Sequence, residues 1–122
     1  MRKIKVNRSV NDSAELLKKS IQEKGFTVFC DINHQVNAES VDLKMPASRV
    51  LIFGNPLAGT KLMQKDIAMS LDLPLRIAIV DVDGETTIIH QTSDDYCNYY
   101  EVTGHPVLEK VEELFATLVS EL

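Results

Sequence analysis

Apolar and polar positions along the chain switch between a helical and a two-residue period, and the switches outline its elements. Lys3 to Val6 reads as a short opening strand. Ser9 stands three residues before Asp12, a capping pair with Asp in the place of Glu, and Val10, Ala14, Leu17 and Ile21 then share one helical face. Gly25 supplies the stop. Phe26 to Ile32 alternates with period two, which predicts a strand with Cys30 as a small core residue beside Phe26, Val28 and Ile32. Residues 33–46 are polar and irregular, with room for one helical turn from Gln35 to Val41. Val50 to Phe53 is an unbroken apolar run, the pattern of a central strand buried on both faces.

That run leads into FGNPLAGTKLMQ, Phe53 to Gln64, the densest turn chemistry in the chain. Gly54 and Gly59 can take positive φ, Pro56 fixes its own φ, and Asn55 before it is pushed out of the α region. The expectation is a tight bend, with Thr60 capping a helix that buries Met63, Ile67 and Leu71 and ends before Pro74. Leu75 to Val82 is again a strand, and Asp83-Gly84 turns it back into Thr86 to Ile89 as an antiparallel hairpin. After a connector holding Tyr96, Tyr99 and Tyr100, Pro106 opens a last helix whose stripe is Val107, Val111, Leu114, Phe115, Leu118 and Leu122.

These elements describe one α+β domain over residues 1–122, with long helices on one face of a mostly antiparallel sheet. The second sheet face needs cover. The helix after Thr60 and residues 33–46 can supply part of it and a second subunit the rest, so a homodimer is expected.

Composition narrows the function classes. With 122 residues, 44% of them hydrophobic, the chain can build one core without metal or disulfides. No apolar run approaches the ~20 residues that span a bilayer, and MRKIKVNRSV lacks the apolar stretch of a secretory signal. A soluble, cytoplasmic chain with no membrane partner is expected. The net charge of −5 argues against nucleic acid as a partner. The charge is uneven, because residues 1–24 carry seven Lys or Arg against three acids, an asymmetry that solvated faces of different elements explain and that could also orient a second subunit. Cys30 and Cys97 match no paired metal or redox motif and are expected to be reduced.

Gly54, Gly59 and the strand before them imitate a phosphate-binding loop, but Thr60 and Lys61 stand in transposed order and the Asp83-Gly84 hairpin forbids the parallel crossover such a fold needs. A milder reading survives. Backbone amides from Ala58 to Lys61, with the Thr60 hydroxyl and Lys61, could hold a phosphate or carboxylate; alternatively, the glycines only let the strand turn into the helix. His34, His90 and His105 lack metal-pair spacing, and Asp31, Asp81, Asp83, Asp94 and Asp95 mostly sit where Asp makes local hydrogen bonds. His34 or His90 with an Asp partner would be the acid-base pair of an enzyme, were they to meet beside the glycine segment. The tyrosine cluster lacks interleaved cations and reads as packing.

FGNP at 53–56, Gly59-Thr60, Leu62-Met63-Gln64, Asp72-Leu73-Pro74 and the helix ending Lys24-Gly25-Phe26 together resemble the domain of unknown function family 302 over almost the whole chain. The resemblance implies a TATA-binding-protein-like α+β fold in the order β-α-β(4)-α and assigns Gly54, Asn55, Pro56, Gly59, Thr60 and Met63 to the family signature, with His34 at a polar position after the second strand. It implies no biochemical role. His90-Gln91-Thr92-Ser93 departs from the tyrosine and short polar turn expected there. The expected function is a binding module for a small anion or metabolite, its site made of His34, Phe53, Gly54, Asn55, Pro56, Gly59, Thr60, Lys61 and Met63. No catalytic residue, metal ligand or cofactor is assigned. The alternatives are the acid-base enzyme and a protein-interaction domain working through its open sheet face.

Overall fold

The computed structural model describes residues 1–122. Five strands form one sheet: β1 (Arg2–Val6), β2 (Thr27–Asn33), β3 (Ser48–Gly54), β4 (Leu75–Val82) and β5 (Glu85–His90). The order is β1-β5-β4-β3-β2, and every neighbouring pair is antiparallel. The helices are α1 (Val10–Glu23), α2 (His34–Glu39), α3 (Pro56–Lys65), α4 (Ser93–Tyr99) and α5 (Pro106–Ser120), with a 3₁₀ turn at Ile67–Leu71. This is the expected α+β order, elaborated by short helices in the connections.

α1 and α5 cover one sheet face because their apolar stripes match its alternation. Ala14, Leu17 and Ile21 of α1 and Phe115 and Leu118 of α5 meet Leu51, Phe53, Ile77, Ile79 and Ile88 in a single core. An aromatic row crosses it. Phe26 meets Phe53 edge-on at 6.4 Å, Phe53 meets Phe115 at 6.0 Å, and Phe115 lies flat on His90 at 4.1 Å. The hairpin turn has the left-handed backbone of a primed turn, with φ of 54° at Asp83 and 85° at Gly84, and the Asp81 carboxylate accepts the Gly84 N–H at 2.7 Å.

Four local expectations are corrected. Cys30 is exposed, because a bulge between Val28 and Cys30 adds one residue to β2 and moves Cys30 to the face opposite Val28. β3 is deeply buried on one face: Leu51 and Phe53 are fully covered, whereas Val50 and Ile52 on the other face are half-buried. Thr60 caps nothing. Asn55 is the cap, with Pro56 at the first helical position, so α3 starts earlier and its buried face falls on Leu62. The helix then ends at Asp66, whose carboxylate accepts the Ala68 N–H at 3.0 Å and the Glu101 N–H at 2.9 Å, leaving Ile67 and Leu71 exposed and burying Met69. Finally, the connector expected after β5 contains α4, opened by a reciprocal capping box between Thr92 and Asp95. Its Tyr96 is buried, as is Tyr100 just beyond it, and Tyr99 is exposed.

Beneath α1, the Arg49 guanidinium bridges Asp31 at 2.5 Å and Glu15 at 2.8 Å, and Lys18 adds a 3.0 Å contact to Asp31. Burial pushes the Asp31 carboxyl up, but hydrogen bonds from Arg49 and Lys18 outweigh it and hold the group below the usual carboxylate range. The network ties α1 to β2 and β3 at the end of the sheet farthest from Gly54.

Candidate functional site

At the other end, where β3 stops and β4 begins, α3 and α5 diverge and leave a cavity of about 500 Å³. That is within the roughly 300–1,000 Å³ of small-molecule sites. Its walls are built by neighbours with different reasons for being there. α3 starts abruptly after β3 because Asn55 is extended (φ −128°, ψ 123°) and its side chain accepts the Leu57 N–H at 2.9 Å. This directs Leu57, Ala58, Gly59 and Met63 along one wall. α5 supplies Val107, Val111 and Leu114 opposite; Phe26, Phe29 and Leu75 line the sheet side. The cis Leu73-Pro74 peptide brings the chain back to β4, and both residues line the cavity.

Of the residues expected from sequence, Gly54, Asn55, Pro56, Gly59, Thr60, Lys61 and Met63 all line this space. Phe53 does not. Its ring is fully buried between Phe26 and Phe115 and supports the wall from behind. His34 does not either. In the β2–β3 register Thr27 lies opposite Gly54 and Asn33 opposite Arg49, so His34 stands at the far end of the sheet, roughly 20 Å along the strands, exposed at the start of α2.

The two glycines act differently from a flexible bend. Neither has positive φ. A Cβ on Gly54 would stand 3.3 Å from Cβ of Pro74, so Gly54 permits a close approach of strand and connector; Gly59 is an ordinary helical position facing the cavity, where a Cβ would find its nearest neighbours at 4.0 Å. The expected amide cradle is therefore absent. Gly59 N–H donates to the Asn55 carbonyl at 3.0 Å, Leu57 N–H is taken by the cap, and Pro56 has no N–H, which leaves only the Ala58 amide of the first turn.

Apart from Asn55, Thr60 and two lysines, the cavity lining is apolar. Its charged members are Lys61 and Lys110, neither of which has an acidic partner within 4.0 Å, and it contains no carboxylate. Sequence reasoning missed the α5 side, Lys110 included, because residues fifty positions apart become neighbours only through the fold.

The histidines do not form an acid-base pair. The His90 ring is buried, its Nδ1 donates to the Gln91 carbonyl at 2.9 Å, and burial lowers its pKa by disfavouring the imidazolium. No carboxylate lies within hydrogen-bond reach of it. His105 caps α5 by accepting the Val107 N–H at 3.1 Å. No group of three or more His, Cys, Asp or Glu is arranged to hold a metal ion.

The profile of a protein family matches residues 2–122. This chain belongs to the family described as domain of unknown function DUF302. A crystal structure of an uncharacterized conserved protein DUF302 from Bacillus stearothermophilus superimposes with a TM-score of 0.76, covering 98% of this chain and 92% of that one at 16% identity. At that identity the likeness establishes the DUF302 fold alone. A stretch of 73 residues is 34% identical to part of the fluoride-specific ion channel FluC 1 of Brucella suis biovar 1 (strain 1330) and to part of FluC 1 of Brucella abortus biovar 1 (strain 9-941). It is 60% of this DUF302 chain but 29% and 27% of those channels. In the DUF302 chain no helix is long and apolar enough to cross a membrane.

Proposed function

We propose that this protein is a small-molecule-binding module whose ligand occupies the cavity between α3 and α5 with a mainly apolar body. The carrying observation is the cavity itself, formed around the signature segment from Gly54 to Met63 and lined mostly by aliphatic and aromatic side chains. Lys61 and Lys110 retain the anionic element of the original expectation, now as side-chain charges in place of backbone amides. A binding role accords with the separated histidines, which give acid-base chemistry no paired carboxylate. A cytoplasmic location belongs to the proposal and is supported by the two free cysteines, one of them exposed.

Thermal unfolding in the presence of a panel of apolar acids, alcohols and aromatics tests it. A ligand at one hundred times its Kd raises stability by about 2.7 kcal/mol. A panel that leaves the transition unmoved, together with native mass spectra free of any retained small molecule, contradicts the reading.

A second element of the proposal is a homodimer formed through the uncovered sheet face. Ile32, Val50, Ile52, Ala78, Val80 and Ile89 share that face by register and are only half-buried. Val36, Val41, Leu43 and Met45, from the segment beside it, are exposed.

A further inference from the structure

We infer that the ligand is an apolar monocarboxylate, with its hydrocarbon body between α3 and α5 and its carboxylate at Lys61 and Lys110. The inference rests on the binding-module reading and adds the chemical class. Its basis is a charge distribution that runs against the rest of the molecule. The chain carries 18 acidic and 13 basic residues, yet the cavity lining contains two lysines and no acid. Both lysines are exposed and unpaired, as are Lys3, Lys44 and Lys65, but only these two stand on the lining of an apolar cavity. The remaining polar side chains of the lining also offer donors. The Asn55 side-chain Oδ1 accepts the Leu57 N–H, which leaves its NH₂ free, and the Thr60 hydroxyl is exposed on the lining.

These groups suit one anionic head and no more. Two mobile ammonium groups in water supply Coulombic attraction without the enclosed donor set that a phosphate or a dicarboxylate would need once desolvated. The body must be apolar, because Leu57, Leu62, Leu73, Leu75, Val111 and Leu114 offer a buried polar group nothing to bond. A neutral hydrocarbon would use the walls and ignore the lysines, and a small hydrophilic anion would do the reverse. An amphipathic acid uses both.

The test is isothermal titration calorimetry of the full chain with hexanoate, octanoate and decanoate, each below its micelle concentration, and with 1-octanol as the uncharged match. Octanoate is expected to bind about fivefold more tightly than 1-octanol at low salt, from two exposed charge contacts, and the margin is expected to shrink at high salt. Each added methylene should tighten binding about fourfold. In Lys61→Gln/Lys110→Gln, two exposed substitutions that leave the core untouched, the preference for octanoate should vanish while 1-octanol binding stays the same. In Leu114→Trp, which fills the cavity, both ligands should be lost. Equal or tighter binding of 1-octanol, or an octanoate preference that survives the lysine substitutions, overturns the carboxylate assignment and leaves the cavity reading standing. Failure of every compound to bind overturns the carboxylate assignment, and the binding-module reading falls with it only where the wider panel and the native mass spectra are negative too.

Discussion

The two glycines of the signature segment should respond to the same substitution with opposite signs. Gly59 lies inside α3 without positive φ, and a methyl group there would meet Leu73 Cδ1 and Met63 Cε at 4.0 Å, ordinary contact distances. Replacing a helical glycine by alanine removes backbone entropy from the unfolded chain and gains about 1 kcal/mol, with no steric term to offset it. For a domain of this size that corresponds to a rise in Tm of roughly 3–5 °C. Gly54→Ala gains about 0.4–1 kcal/mol through the same entropy. Against this, its Cβ would stand 3.3 Å from the ring of Pro74 and 3.7 Å from Phe29, and the backbone of both strand and connector fixes that approach. Overpacking of this kind costs about 1–3 kcal/mol, so the net effect is a loss of about 1 kcal/mol. Urea unfolding of the two variants and the parent, followed by circular dichroism, measures both, with the midpoint moving and the slope constant if only stability changes. A Gly59→Ala variant less stable than its parent, or a Gly54→Ala variant more stable, would refute the assignment of one glycine to helix and cavity and the other to close packing.

Asp31→Asn should destabilise the domain near neutral pH by about 1–2 kcal/mol, less than a fully buried ion pair because solvent reaches Asp31 and Glu15. The Asp31 carboxyl is held low in the fold, so its contribution is complete above the unfolded pKa and is lost as pH falls through the folded value; the difference between variant and parent should shrink in acid unfolding curves below about pH 4. His90 works over a higher window. Its folded pKa lies below the ordinary value of 6.5, so its contribution is complete above that pH and declines as acid protonates the unfolded imidazole first; His90→Phe, which keeps the stack on Phe115, should flatten the stability profile as pH falls below 6.5. For the uncovered sheet face, light scattering should give twice the chain mass for the parent and the monomer mass for Val50→Lys with unchanged helix content; a monomeric parent removes the dimer.

The elements most legible in the sequence were those whose apolar period agrees with a local stop signal. α1 has a clean stripe between Ser9 and Gly25, and the β4–β5 hairpin has the Asp-Gly pair that its primed turn requires. The start of α3 was equally visible in Asn55-Pro56, a cap followed by a first-turn proline, but two nearby glycines outweighed it because glycine in a helix opposes intrinsic propensity. α4 escaped because its exposed residues are polar, although Thr92 and Asp95 stand at capping-box spacing. The β2 bulge leaves no trace in a period-two pattern, so that pattern assigns Cys30 to the face opposite the one it occupies. For the site, the α3 wall was readable and the α5 wall was not. Lys110 looks like any solvated helix residue until helix packing sets it opposite Lys61 across the cavity.

The position of β1 bears on how the molecule is assembled. It pairs only with β5, Ile4 opposite Ile88, although the two are the strands farthest apart in the chain. Of the five strands, β1 thus has its only partner made last. Contacts of such long loop length favour slow, all-or-none folding over stepwise growth from the N-terminus. A chain stopped before residue 85 would expose the inner edge of β4, a template for pairing with another unfinished copy.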